Sequence, residues 1–532
     1  MAIDYISFKE TGYFSELICD YLEEADTLKM FYNNYPKLNN FKNQIEKKSK
    51  GNYPKSSRII LSESLQKQYK NVETSSITLQ NIEALKQNNT FTITTGHQLN
   101  LFTGPLYFLY KIASTINLSK TLKQKHPENN FVPVYWMATE DHDFEEINYF
   151  NFKGQKVQWN RESSGAVGEL SNDGLNEVFD AFSEVLGVGN NAEKLRNLFK
   201  SAYVKHQNLA DATRYLANEL FRDYGLVIID ANTFELKQLF VPFMEKELLN
   251  QSAFKEVSIT NNNLEKQNYS IQVNPREINL FYLTEGLRER IVFEDNMYRV
   301  LNTSITWNKN ELLKHLSENP EHFSPNVIMR PLYQEVILPN LCYIGGGGEL
   351  AYWLQIKTYF EKMEVTFPML LLRSSVLVKT EKQTEKQNQL RLSNNDLFLN
   401  QETLVQKKTK ELSSIAIDFS KQKEHLEQQF KDLYNLAEQT DKSFLGAVSA
   451  QERKQIKGLE HLEKRLLKAQ KRKLSEQLLK VKSLQDKLFP NQSLQERNIN
   501  FSELFLEYGD ELIPALIKNL KPLKGDFTVL TI

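Results

Sequence analysis

The residues of this sequence best suited to chemistry fall in three short segments. The first, TGHQLNLFTGP (Thr95–Pro105), stands between a β-branched run and an apolar helical stretch. Gly96 and Gly104 would let the backbone come close to a ligand, and His97, Gln98 and Asn100 supply polar contacts. Unpaired N–H groups opening the following helix would favour a phosphate or carboxylate. No GKS or GKT follows, so this is not a Walker loop, and it is not GxGxxG. The plainer alternative is an ordinary strand-to-helix turn with a polar cap.

The second segment, ATEDHDFEEINYF (Ala138–Phe150), places the carboxylates of Glu140, Asp141, Asp143, Glu145 and Glu146 around the imidazole of His142. Such charge at the mouth of a buried strand is costly unless ligated, paired or solvated. Orientation of a substrate amine by Glu140, or general-base work by His142 with Asp141 or Asp143, is the favoured chemistry. A metal site is the weaker reading, since adjacent residues in a turn rarely all face one ion. A solvated acidic helix start is the plain alternative.

The third, CYIGGGGELAYW (Cys342–Trp353), sets Gly345, Gly346, Gly347 and Gly348 before a helix carrying Glu349, Tyr352 and Trp353. A glycine run calls for unusual φ angles or close approach of backbone to something else, whereas a linker would not join an apolar run to an aromatic helix. Arg330 and Arg373 each end an apolar run, where a cation meets either an anionic ligand or a structural acid. Lys111 could reach a phosphate, although a solvated face is the usual fate of such a lysine. Cys342 reads as a small core residue. His126, His206, His315, His322, His425 and His461 show no partner pattern.

The elements that must position these segments are strands and helices in alternation. FTITT (Phe91–Thr95), a helix from Leu106 to about Lys123 with Pro105 at its start, and FVPVYWMA (Phe131–Ala138) form a βαβ unit, which requires parallel pairing. A helix over Leu209–Arg222 leads into LVIID (Leu226–Asp230), and a helix over Glu349–Lys362 feeds VTFPMLLL (Val365–Leu372). These predict an α/β chain with one Rossmann-like, doubly wound parallel sheet assembled from distant pieces.

The expected units are 1–150 (N-terminal helices and the first half of the core), an insertion over 151–205 and core again over 206–250. A β-containing insertion follows over 251–325, with strand-like runs YSIQV, LFYL and RIVF, then the second half of the core over 326–385. Over 386–490, Val405, Leu412, Ile415, Phe419, Leu426, Phe430 and Leu433, then Leu459 through Leu488, recur at helical spacing among charged residues. Two long helices broken at Gly446 and ended by Pro490 are expected, an antiparallel coiled-coil hairpin. The apolar content of 491–532 predicts a segment docked on the body.

Composition narrows the class. A chain of 532 residues implies roughly three units of ~100–200 residues. Its 66 basic and 67 acidic side chains nearly cancel, which argues against a nucleic-acid partner. Two cysteines, no signal-like N-terminus and no run of ~18 apolar residues predict a soluble cytoplasmic protein without a membrane partner.

TGHQLNLFTGPLYFLYKIAS followed by VPVYWMATEDHDFEEIN resembles the bacillithiol-synthesis cysteine-adding enzymes, the BshC family, and IGGGGELAYW, FPMLLLRSS and the late coiled coil fall in the expected order. The resemblance implies a core like that of class I aminoacyl-tRNA synthetases and a coiled coil that pairs subunits into a homodimer. It also implies a ligase that joins cysteine to glucosaminyl-malate through an amide bond. Carried over by position are Thr95, Gly96, His97 and Gln98, Thr103 to Pro105, Glu140 to Asp143, and Gly345 to Glu349. The family's usual residue at position 97 is Gln, which bears on any acid role for His97. HIGH-type and KMSKS-type signatures are absent, so the synthetase likeness concerns fold alone.

Amide formation from a free carboxylate needs activation, so ATP or another nucleotide is the expected cofactor, with magnesium the only metal it would bring. In this reading His97 or His142 moves the proton, Asp141 and Asp143 assist, and the glycine segments, Tyr352, Arg330 and Arg373 bind substrate. The rival readings are a nucleotide- or tRNA-binding scaffold with a coiled-coil arm, and a metal-dependent hydrolase built on residues 140–143.

Overall fold

The computed structural model describes residues 2–51, 53–440 and 442–532. Five strands form the central sheet: β1 (Thr90–His97), β2 (Asn130–Met137), β3 (Val227–Asp230), β4 (Asn340–Gly345) and β5 (Met369–Leu372). Their order is β5-β4-β1-β2-β3 and every pairing is parallel. β1 is buried along its whole length, as a central strand covered by helices on both faces must be. The strand order reverses between β1 and β4, which opens a crevice outside their carboxyl ends.

Register brings the three chemical segments to that crevice. Thr95 pairs with Ile344, His97 with Met137, and Gly345 with Leu372. The helix after β1, α1 (Tyr107–Lys125), starts two residues beyond Pro105, with Leu106 as its cap, so Pro105 lies outside the first turn. The loop between them is tightly folded. Phe102, Thr103 and Gly104 all have positive φ, at 47°, 69° and 62°. That backbone is held because the Phe102 ring lies 5.0–5.5 Å from those of Phe150, Phe182, Phe199 and Phe501, while Asn500 Nδ2 donates to the carbonyls of Phe102 (2.7 Å) and Gly104 (2.6 Å).

Around the core stand an antiparallel five-stranded sheet, within residues 280–325, and a small sheet that joins the chain's ends. In the latter, Ala2–Ile6 pairs with Phe527–Thr531, which runs beside Val376–Lys379. The terminal strand thus docks the 491–532 segment on the body. LFYL and RIVF lie in strands of the antiparallel sheet, but YSIQV does not: Gln272 and Val273 instead give their N–H groups to the Gln355 side chain.

Other boundaries shift for local reasons. The helix expected over Glu349–Lys362 is two, α2 (Gly347–Gln355) and α3 (Lys357–Lys362), with Ile356 between them outside helical geometry (φ −107°, ψ 5°). Pro368 precedes β5, which is confined to Met369–Leu372.

The coiled-coil hairpin is present, between helices Ser420–Ala437 and Lys442–Lys473, with Phe430, Ala437 and Val448 as its buried core. Lys423 meets Glu463 at 2.9 Å and Tyr434 meets Glu452 at 2.8 Å, a register that requires antiparallel helices. Gly446 lies inside the second helix rather than at the break. Among the described residues no helix is long and apolar enough to cross a membrane.

Candidate active site

A cavity of about 940 Å³ opens at the carboxyl ends of β1, β2 and β4. Gly96, His97 and Gln98 line it from the end of β1, Glu140, Asp141 and His142 from the turn after β2, and Gly346–Glu349 from the start of α2. Three segments spread over some 250 positions therefore share one wall. Arg330, Tyr352 and Arg373 also face it.

The α2 end is organised around a partly buried anion. Glu349 Oε2 lies 2.5 Å from Lys111 Nζ and accepts from Gly346 N at 2.8 Å, while Tyr343 donates its hydroxyl to Oε1 at 2.6 Å. Burial raises the pKa of Glu349, but Lys111 and these hydrogen bonds outweigh it and hold the carboxyl below its ordinary value. Lys111 is thus buried and paired, not solvated, and it also donates to Gly96 O at 2.7 Å. Arg330 donates to Gln334 Oε1 (3.1 Å) and the Tyr352 hydroxyl (3.3 Å).

Arg373 donates through Nη1 to Ser374 O (3.0 Å) and Ser375 Oγ (3.1 Å), and through Nη2 to Glu496 Oε1 (2.7 Å). Its Nε is buried with no partner among the described residues. His97 packs its ring against Tyr107 and Phe108, and its Nε2 is likewise buried and unpartnered. Burial drives the His97 pKa well below the ordinary histidine value, and Lys111 and Arg373 push the same way, so the ring is neutral at physiological pH.

The acidic turn is pinned rather than loose. Glu140 Oε2 pairs at 2.8 Å with Lys237 Nζ, a fully buried lysine that also donates to Phe323 O at 2.7 Å. Gln98 Nε2 donates to Asp141 Oδ2 (2.9 Å) and Glu146 Oε2 (2.8 Å). Arg288, from the antiparallel sheet, donates to His142 Nδ1 at 2.6 Å. That bond needs an unprotonated Nδ1. Burial first, and Arg288 second, lower the pKa of His142 accordingly.

Several expected contacts do not reach the cavity. Asp143 is exposed and its side chain is not on the wall. Thr95 is spent on the sheet, donating to Ile344 O at 2.7 Å, and Asn100 donates to Glu146 O at 3.1 Å. Thr103 and Gly104 serve the strained loop, where a Cβ on Gly104 would sit 2.6 Å from that of Asn100. Gly345 belongs to β4, and a Cβ there would lie 2.9 Å from Tyr343 Cε1. The side chains of 140–142 diverge onto separate partners, so they do not form the convergent metal set that a hydrolase would need. Among the described residues no group of three His, Cys, Asp or Glu could hold a metal.

Sequence reasoning singled out Lys111, Arg330 and Arg373 but missed four further cations. Arg276, Arg288, Arg290 and Arg497 line the cavity as well, against the acids Glu140, Asp141 and Glu349. Arg288 and Arg290 alternate on one strand, a period-two signal that places both on one face. Arg497 sits in a four-residue helix with no comparable signal.

Two family models cover the chain: the bacillithiol biosynthesis BshC N-terminal Rossmann-like domain over residues 1–374, and the BshC C-terminal coiled-coil domain over 376–532. A relative from Flavobacterium johnsoniae is 60% identical over 532 residues, covering all of both chains. One from Christiangramia forsetii is 56% identical over 100% of this chain and 99% of its own. One from Cytophaga hutchinsonii is 38% identical over 98% and 97%. All three are named as candidate cysteine ligases of the BshC type. With both of its parts matched in order and at full length, the chain belongs to the bacillithiol biosynthesis BshC family.

Proposed function

We propose that this protein is a ligase that joins L-cysteine to glucosaminyl-malate through an amide bond, the last step of bacillithiol synthesis. The observation that carries the reading is the single cavity in which an acidic turn, a glycine-opened helix and a surplus of cations face one another. The names of the relatives support a ligase acting with cysteine.

The substrates carry carboxylates and an amine, and the cavity offers matching partners. Arg276, Arg288 and Arg290 suit the malyl carboxylates at one side. To hold the glucosamine amine, Glu140 keeps lone pairs beyond Lys237, and Asp141 keeps one on Oδ2 beyond Gln98 while its Oδ1 accepts from His142 N. In the bond-forming step the amine nitrogen attacks the activated carbonyl carbon, the leaving group departs with its electron pair, and the amine gives up a proton. Neutral His97, with Nε2 unpartnered among the described residues, is placed to accept that proton; His142 is the second candidate and would have to give up its Nδ1 bond to Arg288 to do so.

Charge on the carbonyl oxygen would be met by backbone N–H groups and the arginines. A nucleoside triphosphate, bound through Gly347, Gly348, Arg373 and Arg497, would supply the activation of the carboxylate, with magnesium accompanying its phosphates. Exposed apolar residues along the hairpin, Leu433, Leu436 and Leu462, support pairing of two copies through that arm.

Turnover with glucosaminyl-malate, cysteine and a panel of nucleoside triphosphates tests this. A thiol-bearing amide that forms only with all three components is expected. A folded protein that yields no such product with any donor contradicts it.

A further inference from the structure

The second family domain begins at residue 376, yet one of its residues, Arg497, lines the cavity of the first, and another, Glu496, holds the cavity-lining Arg373. The chain leaves the hairpin through Ser475–Leu488, turns at Pro490, and forms the short helix Gln495–Asn498. Glu496 on that helix is fully buried. Its Oε1 takes Arg373 Nη2 at 2.7 Å and its Oε2 takes Val376 N at 2.9 Å. Its neighbour Arg497 is exposed and lines the cavity.

Arg373 is only 4% exposed and five-way donor capacity makes its bonding pattern informative. Nη1 and Nη2 are tied to Ser374, Ser375 and Glu496, the Tyr107 ring lies 4.7 Å from the guanidinium carbon, and among the described residues Nε has no partner. Glu496 and the serines fix the plane of the guanidinium, and Nε stands beside the start of α2 on the same cavity wall: a Cβ on Gly346 would lie 3.8 Å from it. There, Gly346 N is satisfied by Glu349, but Gly347 and Gly348 face the cavity, and the space around Gly348 is open. A buried charged donor left unpaired beside a nine-residue helix N-terminus is expensive unless something fills it.

We propose that the C-terminal domain completes an oxyanion subsite at the N-terminus of α2. Glu496 is its positioning residue, presenting Arg373 Nε, and Arg497 supplies a second cation. The occupant is a carboxylate or phosphate oxygen of a substrate. The proposal rests on the cavity being the substrate site, and it gives the helical domain a part in binding beyond its hairpin.

The test is calorimetric titration of the full-length protein with inorganic phosphate, pyrophosphate, L-malate and L-cysteine, which needs no turnover and so stands apart from the ligase reading. Wild type should bind at least one of them. Arg497→Gln, at an exposed position with no folding cost, and Arg373→Lys, which keeps the charge but loses Nε, should each weaken that binding by about tenfold. Glu496→Gln should weaken it comparably in protein shown by its melting curve to be folded. Loss confined to phosphate and pyrophosphate identifies a phosphate occupant, and loss confined to malate or cysteine a carboxylate. Binding of every probe unchanged in all three variants, a Glu496 variant that shifts only the melting curve, or no binding to wild type overturns the proposal.

Discussion

Two buried charge networks sit on one sheet, and they differ in whether they are finished. At the amino ends of β1 and β4, Lys48 and Glu335 are paired at 3.3 Å, both all but fully buried. Gln334 and Asn340 donate to Glu335 Oε1 at 3.0 and 2.7 Å, and Thr94 donates to Asn340 Oδ1 at 2.9 Å. At the carboxyl ends, Lys111 and Arg373 are buried to a similar degree and Glu349 and Arg330 partly so, but among the described residues Arg373 Nε and His97 Nε2 have no partner. Burying charge costs free energy in both places. In the first the chain offsets that cost with its own groups, which marks a structural network. In the second two polar atoms stay unpaired, and it is there that we propose a ligand binds.

The largest effect that could break this contrast is at Lys48. Lys48→Met leaves Glu335 buried without its counter-ion and should cost about 3–5 kcal/mol in urea unfolding. A cost below about 1 kcal/mol would mean that the amino-end pair is not structural. Arg288→Gln should do the converse: kcat/KM down by about a hundredfold, from loss of one preorganised donor, with stability changed by under about 1 kcal/mol. Equal loss of stability would place Arg288 with the structural set.

The tetraglycine sharpens the same point within four residues. Gly345→Ala must push against Tyr343, Glu349 and Leu350, all 2.9–3.0 Å from the new methyl, and should cost about 1–3 kcal/mol in stability. Gly348→Ala meets nothing within 4 Å, so it should fold normally and raise KM instead. The smallest effect is in pH. Because the His97 pKa lies well below that of an ordinary histidine, its neutral form persists as pH falls through 6.5, and kcat/KM should show no acid limb from it there. An acid limb near 6.5 that disappears in His97→Gln would refute the neutral ring.

The parallel sheet was legible because its strands are continuous apolar runs: Phe91–Thr95 and Phe131–Ala138 admit no other covered element of that length. The strand pair Ala2–Ile6 and Phe527–Thr531 was not, since its partners stand at opposite ends of the chain. Gly446 misled because a glycine inside a helix costs only about 1 kcal/mol, less than the helix-to-helix packing around it returns. Within the site, glycines and clustered acids announce themselves by composition, and so 96–98, 140–142 and 346–349 were picked out. Thr95, Asn100 and Thr103 have the same polar character, and only the register of the sheet and the folding of the Phe102 loop turn them away. Arg497 and Glu496 had no signal, because their role depends on where a distant domain comes to rest.

The most direct test is a crystal structure of the protein soaked with glucosaminyl-malate. The account predicts density for the sugar amine at Glu140 and Asp141, with the rest of the ligand inside the cavity bounded by Gly346–Gly348 and the arginines. A ligand bound outside that cavity, with the three segments untouched, would contradict it.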